Sequence, residues 1–214
     1  MVSLTKVGYS ERMIQTLLLC STLFFTSAAP TYTTSYTAPQ QSSNAYTLEL
    51  TLNGEPIDWY VSESVKRNGE WFDPNNQETV TILFDGGSLE LNVADWGTWD
   101  YAHIMGVSYE RTGADTYTMS ATVRHDDAGW EDYANVIKLE GERVQNGIRE
   151  LLHPHDNEQP FTRSQSGVNA TGEVRVSAND NKEGQDGTVV VLALDSEMFT
   201  ELESADLEID LTRN

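Results

Sequence analysis

Cysteine is nearly missing from this 214-residue chain: Cys20 is the single one, and it lies in an apolar run near the N-terminus. No intrachain disulfide can form, and cysteine catalysis and Cys-rich zinc sites are excluded. Basic residues are scarce as well. Lys plus Arg number 13 against 34 Asp plus Glu, a net charge of −21. Such a surface repels phosphate backbones and anionic lipid, so nucleic acid is excluded as a partner. The sequence has no Gly-x-Ser-x-Gly elbow, no His-Glu-x-x-His and no phosphate loop. Carboxylate pairs are too common in so acidic a chain to single out a glycosidase pair, and the chain reads as a non-enzyme. After the N-terminal region no segment is apolar enough to span a bilayer, so stable membrane insertion of the mature chain is not expected.

What is present begins with an address. Residues 1–28 have the order of a secretory signal peptide: Lys6 and Arg12, a largely apolar stretch from Met13 to Phe25, then the small residues Thr26-Ser27-Ala28-Ala29. The apolar stretch is shorter than the roughly 20 residues a membrane-spanning helix needs. The product is expected to be secreted or periplasmic. Leu17-Leu18-Leu19-Cys20 keeps lipoprotein anchoring through Cys20 as an alternative, with Leu19 bulkier than the usual residue before a lipidated cysteine. Removing residues 1–28 takes away Lys6, Arg12 and Glu11, which makes the mature chain more negative by one.

Residues 29–45, rich in Thr, Ser and Pro, read as a flexible leader. Strand patterning follows. Leu48, Leu50 and Leu52 alternate with polar residues, as do Tyr117, Met119, Ala121 and Val123, and Val174, Val176 and Ala178. Thr79 to Phe84 and Leu89 to Val93 flank Asp85-Gly86-Gly87-Ser88, a hairpin signal. Ala134–Leu139, Gly147–Leu152 and Thr188–Leu194 add further strands, Glu197–Ala205 a short helix, and Asp206–Thr212 an edge strand. Short strands with polar turns predict an all-β fold, an antiparallel β-sandwich. The regions are an N-terminal β region (46–112), an immunoglobulin-like β-sandwich region (113–196) with Trp130 as its large core aromatic, and an acidic C-terminal segment (197–214).

Residues 88–104 echo residues 120–136 without gaps: Asp95, Gly97, Asp100, Tyr101 and Ala102 match Asp127, Gly129, Asp132, Tyr133 and Ala134. Two copies do not make a solenoid. They suggest a repeated strand-loop-strand unit with an acidic, Gly-containing loop.

The most distinctive run is His153-Pro-His-Asp-Asn-Glu-Gln-Pro-Phe-Thr-Arg-Ser-Gln-Ser-Gly-Val168. Histidines two apart on an extended segment face one side. With His125 they would offer three imidazoles, and Asp127 a supporting carboxylate, to zinc or copper. The candidate metal set is therefore His125, His153, His155 and Asp127. Together with Val123-Arg-His-Asp-Asp-Ala-Gly-Trp-Glu-Asp-Tyr-Ala134, this run resembles a family of small exported bacterial proteins of unassigned function, over about residues 117–195. The resemblance implies no transferable activity. Members of that family tend to carry a histidine and paired glycines in the final hairpin turn. Here the turn is Asp180-Asn-Lys-Glu-Gly-Gln-Asp186, without histidine, so a metal site using it would be altered.

Calcium is a weaker candidate. Asn179, Asn181, Glu183 and Gly184 imitate the start of an EF-hand loop, but the twelfth position is Val190 and a strand follows. Looser carboxylate sites at Asp126-Asp127, Asp95, or Asp180 with Asp186 stay open. Five Trp, nine Tyr and six Phe make carbohydrate binding the competing function, with Trp96, Trp99 and Tyr101 as candidate stacking residues. The reading is an exported non-catalytic binding protein for an unknown extracellular ligand, with a carbohydrate-binding or structural module as the alternative.

Overall fold

The computed structural model describes residues 46–61 and 79–213. The expected signal peptide (1–28), the leader (29–45), Cys20 and the pair Trp71-Phe72 lie outside the described residues.

The described chain forms thirteen strands and one short helix: β1 (Tyr46–Leu52), β2 (Glu55–Pro56), β3 (Trp59–Val61), β4 (Thr79–Phe84), β5 (Gly87–Asn92), β6 (His103–Gly113), β7 (Thr116–Arg124), β8 (Ala134–Glu140), β9 (Ile148–Glu150), β10 (Phe161–Asn169), β11 (Glu173–Asp180), β12 (Val189–Ala193), α1 (Glu197–Thr200) and β13 (Ser204–Arg213). Every strand pairing is antiparallel. One sheet has the order β10-β7-β6-β13-β1-β2, the other β3-β4-β5-β12-β11-β8-β9. This is the antiparallel β-sandwich that the alternation predicts.

The cause of the layering is visible in β7, whose burial alternates strictly: Tyr117, Met119, Ala121 and Val123 point inward and the residues between them outward. The inward rows of both sheets merge into one core that includes Leu50, Leu89, Ile104, Val174, Val190, Phe199 and Leu207. Fully burying a side chain of this kind stabilises by roughly 1.5–3 kcal/mol, so this core carries a protein whose described residues hold no cystine.

The regions read from the sequence do not fold as separate layers. Residues 46–112 supply β1, β2 and β6 to one sheet and β3 to β5 to the other; residues 113–196 supply β7 and β10 to the first and β8, β9, β11 and β12 to the second. The acidic C-terminal segment is no edge. Its strand β13 lies between β6 and β1, with Leu207 opposite both Val107 and Leu52. Ala205, Leu207, Ile209 and Leu211 face the core, while Asp206, Glu208 and Asp210 face outward. The helix is shorter than expected and ends at Thr200, where the chain turns into β13.

Trp130 also departs from expectation. It is 65% exposed, because it falls in the connection between β7 and β8, outside both sheets. The core aromatics are instead Trp59, Phe84, Trp96, Tyr109, Tyr117, Phe161 and Phe199.

Three connections cross from one sheet to the other at the same end of the sandwich: β5 to β6, β7 to β8, and β9 to β10. The β11–β12 turn joins them there, since Asp180 pairs with Ala134 and Ile104 N–H donates to the Thr188 carbonyl.

Candidate functional site

The two echoed loops are the β5–β6 and β7–β8 crossings, and they are built alike. Gly97 and Gly129, the matched glycines, both take a positive φ, +106° and +89°, which glycine adopts without steric cost. The matched aspartates are both buried, and each is bonded to a buried histidine. Asp95 Oδ2 lies 2.9 Å from His103 Nε2, and Asp127 Oδ1 lies 2.6 Å from His125 Nδ1.

The first pair is closed on itself. His103 Nδ1 lies 2.9 Å from the Thr188 hydroxyl, and the ring meets Trp96 and Trp99 edge to face at 5.5 and 5.3 Å. Asp95 also accepts hydrogen bonds from the Thr98 hydroxyl and from the amides of Asp100 and Tyr101. Burial raises the Asp95 pKa, but its hydrogen bonds outweigh burial and hold it below the usual carboxylate range. Both histidine nitrogens are spoken for, so this pair braces the loop.

The second pair is also bonded at both ring nitrogens, His125 Nδ1 to Asp127 and Nε2 to the Asp100 carbonyl, but further carboxylates crowd around it. Asp127, with its side chain fully buried, accepts from His125 Nδ1, from the Ala134 amide at 3.1 Å and from the His155 amide. Its oxygens are thereby committed, and it orients the His125 ring so that Nε2 faces the other way. Around Nε2 stand the Asp100 carbonyl oxygen at 3.1 Å and Asp132 Oδ1 at 3.6 Å. Donor atoms of His125, Asp132 and Asp180 all lie within 4.8 Å of one another.

Each of the two carboxylates is half used. Asp132 Oδ2 accepts from Lys182 Nζ at 2.8 Å. Asp180 Oδ1 accepts from the amides of Lys182, Glu183 and Gly184 and so closes the β11–β12 turn. The remaining oxygens, Asp132 Oδ1 and Asp180 Oδ2, are buried and have no hydrogen-bond partner. Buried acceptors are seldom left in this way, and an exception calls for an ion, a proton or a role.

The electrostatics agree. Burial disfavours a charged His125, yet the Asp127 hydrogen bond and the carboxylates of Asp127, Asp180 and Asp132 outweigh it and raise the histidine's pKa. Burial likewise raises the Asp127 pKa, but the bonds from His125, His155 and Ala134 win and hold its pKa below the ordinary value. The site therefore favours a positive charge at the Nε2 face of His125.

Of the metal set expected from the sequence, the structure brings together His125, Asp127 and His155, with Asp127 as hub and not as an open ligand. His155 is buried, stacks on Phe161 at 3.9 Å, and has its Nδ1 3.8 Å from Asp127 Oδ2. Burial, with Arg163 and His153 adding to it, lowers its pKa. His153 is exposed; its ring lies 4.6 Å from that of His155, and its Nδ1 turns to its own neighbour, the Pro154 carbonyl. Neither His153 nor His155 belongs to the cluster of open donors. Asp132 and Asp180 do; the sequence marked Asp132 only as an echo match, and Asp180 as a carboxylate candidate paired with Asp186 and not with His125.

The stacking set is differently disposed. Trp96 is buried, and its Nε1–H donates to the Leu211 carbonyl at 2.8 Å. Trp99 is partly buried against the core, with φ +60°, and the Arg124 guanidinium stands 5.6 Å from its ring. Tyr101 is partly exposed beside Asp186 and Asp95.

Among the described residues, no helix is long and apolar enough to cross a membrane. No family model matches the chain, and no solved structure matches it. The chain is similar to a protein of Halomicrobium mukohataei named "Putative lipoprotein", 35% identical over 124 residues. The matched stretch is 56% of this chain and spans little more than half of that relative, 57% of its length.

Proposed function

We propose that this chain is an exported, non-catalytic binding protein that holds one divalent metal ion, of the zinc class, at His125, Asp132 and Asp180. The observation that carries the reading is a pair of buried carboxylate oxygens without hydrogen-bond partners, Asp132 Oδ1 and Asp180 Oδ2, on two residues whose donor atoms cluster with one of His125 within 4.8 Å. An imidazole, two carboxylates and a nearby backbone carbonyl suit zinc. Copper(I) would ask for thiolate or thioether, and calcium for six to eight oxygens. Asp127 is the supporting carboxylate behind the ligating histidine, which fixes its tautomer and direction. Such an ion would tie three connections together, those carrying Asp100, His125 with Asp132, and Asp180. It would do the work of a crosslink in a chain that has no cysteine pair.

Similarity to a relative named as a lipoprotein supports export, and it favours the form anchored through Cys20 over a freely diffusing one.

The test is metal content and zinc titration of the purified protein beside His125→Ala, Asp180→Asn and His153→Ala. One zinc per chain is expected in the parent and in His153→Ala, and none in the other two. Absence of zinc from the parent, or equal occupancy in Asp180→Asn, would overturn the assignment.

A further inference from the structure

We infer that Trp130 is the stacking platform of a binding site for a neutral polysaccharide chain. This goes beyond the metal reading and does not need it. Trp130 is 65% exposed, while Trp59 and Trp96 are buried and Trp99 packs partly against the core. Its loop is rigidly braced by the protein itself. Asn181 Nδ2 donates to the Trp130 carbonyl at 3.0 Å, and Asn181 Oδ1 accepts from the Tyr133 amide at 2.8 Å. The Ala128 amide closes the loop on the Asp132 carbonyl at 2.7 Å. The Tyr133 ring meets the indole at 5.8 Å and 76°, supporting it from one side. An indole presented on a fixed backbone loses little freedom when a ligand lands on it, which is what a preformed site requires.

The surroundings select the occupant. Exposed polar residues border the loop that carries the indole: Glu131 follows Trp130 in the chain, Asn181 holds its carbonyl, and Lys182 bonds Asp132. A lipid or protein surface would ask for a contiguous apolar patch, and this rim interrupts it. A phosphorylated or otherwise anionic ligand would meet a net charge of −21. A sugar ring fits: its C–H face covers the indole, and its hydroxyls reach polar side chains at the rim.

The experiment is native gel electrophoresis of the full chain through gels containing hydroxyethyl cellulose, laminarin or glucomannan. At least one of these is expected to retard the parent protein. Trp130→Ala should weaken that retention at least tenfold, and Trp130→Phe should keep part of it. Because the side chain is exposed, both variants should melt at the parent temperature and hold the same amount of zinc. A His125→Ala protein that has lost zinc and is still retarded leaves this inference standing while the metal reading is scored separately. Free migration of the parent in all three gels, or equal retardation of Trp130→Ala, overturns it. So does a parent dimer that Trp130→Ala turns into a monomer in sedimentation, which would assign the indole to self-association.

Discussion

Replacing Asp127 with alanine strikes the hub on which two histidines and two loops depend. The carboxylate is fully buried in its side chain, His125 is 1% exposed, and the bond between them is 2.6 Å. Three donors lose their acceptor: His125 Nδ1, the Ala134 amide and the His155 amide. A buried donor left unpaired costs about 1–3 kcal/mol. Breaking a buried ion pair by removing one partner costs about 3–5 kcal/mol. These losses overlap, so the expected destabilisation is about 4 kcal/mol, a large share of the roughly 5–15 kcal/mol that holds a domain together. The assay is urea unfolding followed by tryptophan fluorescence, in chelator, at pH 6. That pH lies above the lowered pKa of Asp127 and below the raised pKa of His125, so the charged form of the pair is favoured. With a slope of roughly 2 kcal/mol per molar, the midpoint should fall by about 2 M. The control is Asp126→Ala next door, with a side chain 65% exposed and a change expected within about 0.5 kcal/mol. A midpoint shift below about 0.5 M, or one matched by the control, refutes the hub.

Stability of the metal-free protein should fall as pH rises above neutrality. The raised pKa of His125 means its contribution is complete below about 6.5 and is lost as pH rises through the folded value; zinc should restore the stability lost there, and melting curves in chelator and in zinc test this. The lowered pKa of Asp127 contributes above about pH 4 and is lost as pH falls through its folded value, which acid unfolding reads. Gly187→Ala should destabilise by at least about 1–3 kcal/mol in a thermal melt, because a Cβ there overlaps the Ala102 carbonyl where the β11–β12 turn meets the β5–β6 loop. Arg175→Ala should cost less than about 1 kcal/mol in the same assay despite a fork to Glu90 at 2.6 and 2.8 Å, since both side chains are about two-fifths exposed.

Strands were legible where hydropathy alternates without interruption. The β4–β5 hairpin, β7, β11 and β12 are in place, with Gly86 at φ +85° in the turn that the Asp85-Gly86 pair announces. Two long strands were not legible, for different reasons. In β6 the register shifts between Ile104 and Gly106, so a bulge breaks the period of two. In β10 the row Thr162, Ser164, Ser166 alternates with Arg163 and Gln165; an edge strand with few buried side chains writes little apolar pattern. The exposed place of Trp130 was likewise hidden, since an aromatic in a loop and one in a core look the same in one dimension.

Residue order alone determined the all-β class, the inward and outward faces of most strands, the acidity of the chain, and His125 with Asp127 as residues of interest. Each of these depends on neighbours within a few positions, where backbone geometry dictates what faces what. Tertiary structure decided that β13 lies between β6 and β1, that Asp127 bonds the His125 ring, and that Asp132 and Asp180, 48 residues apart in sequence, cluster with His125. Those outcomes depend on how separate strands pair across the sandwich, and no local pattern records the pairing.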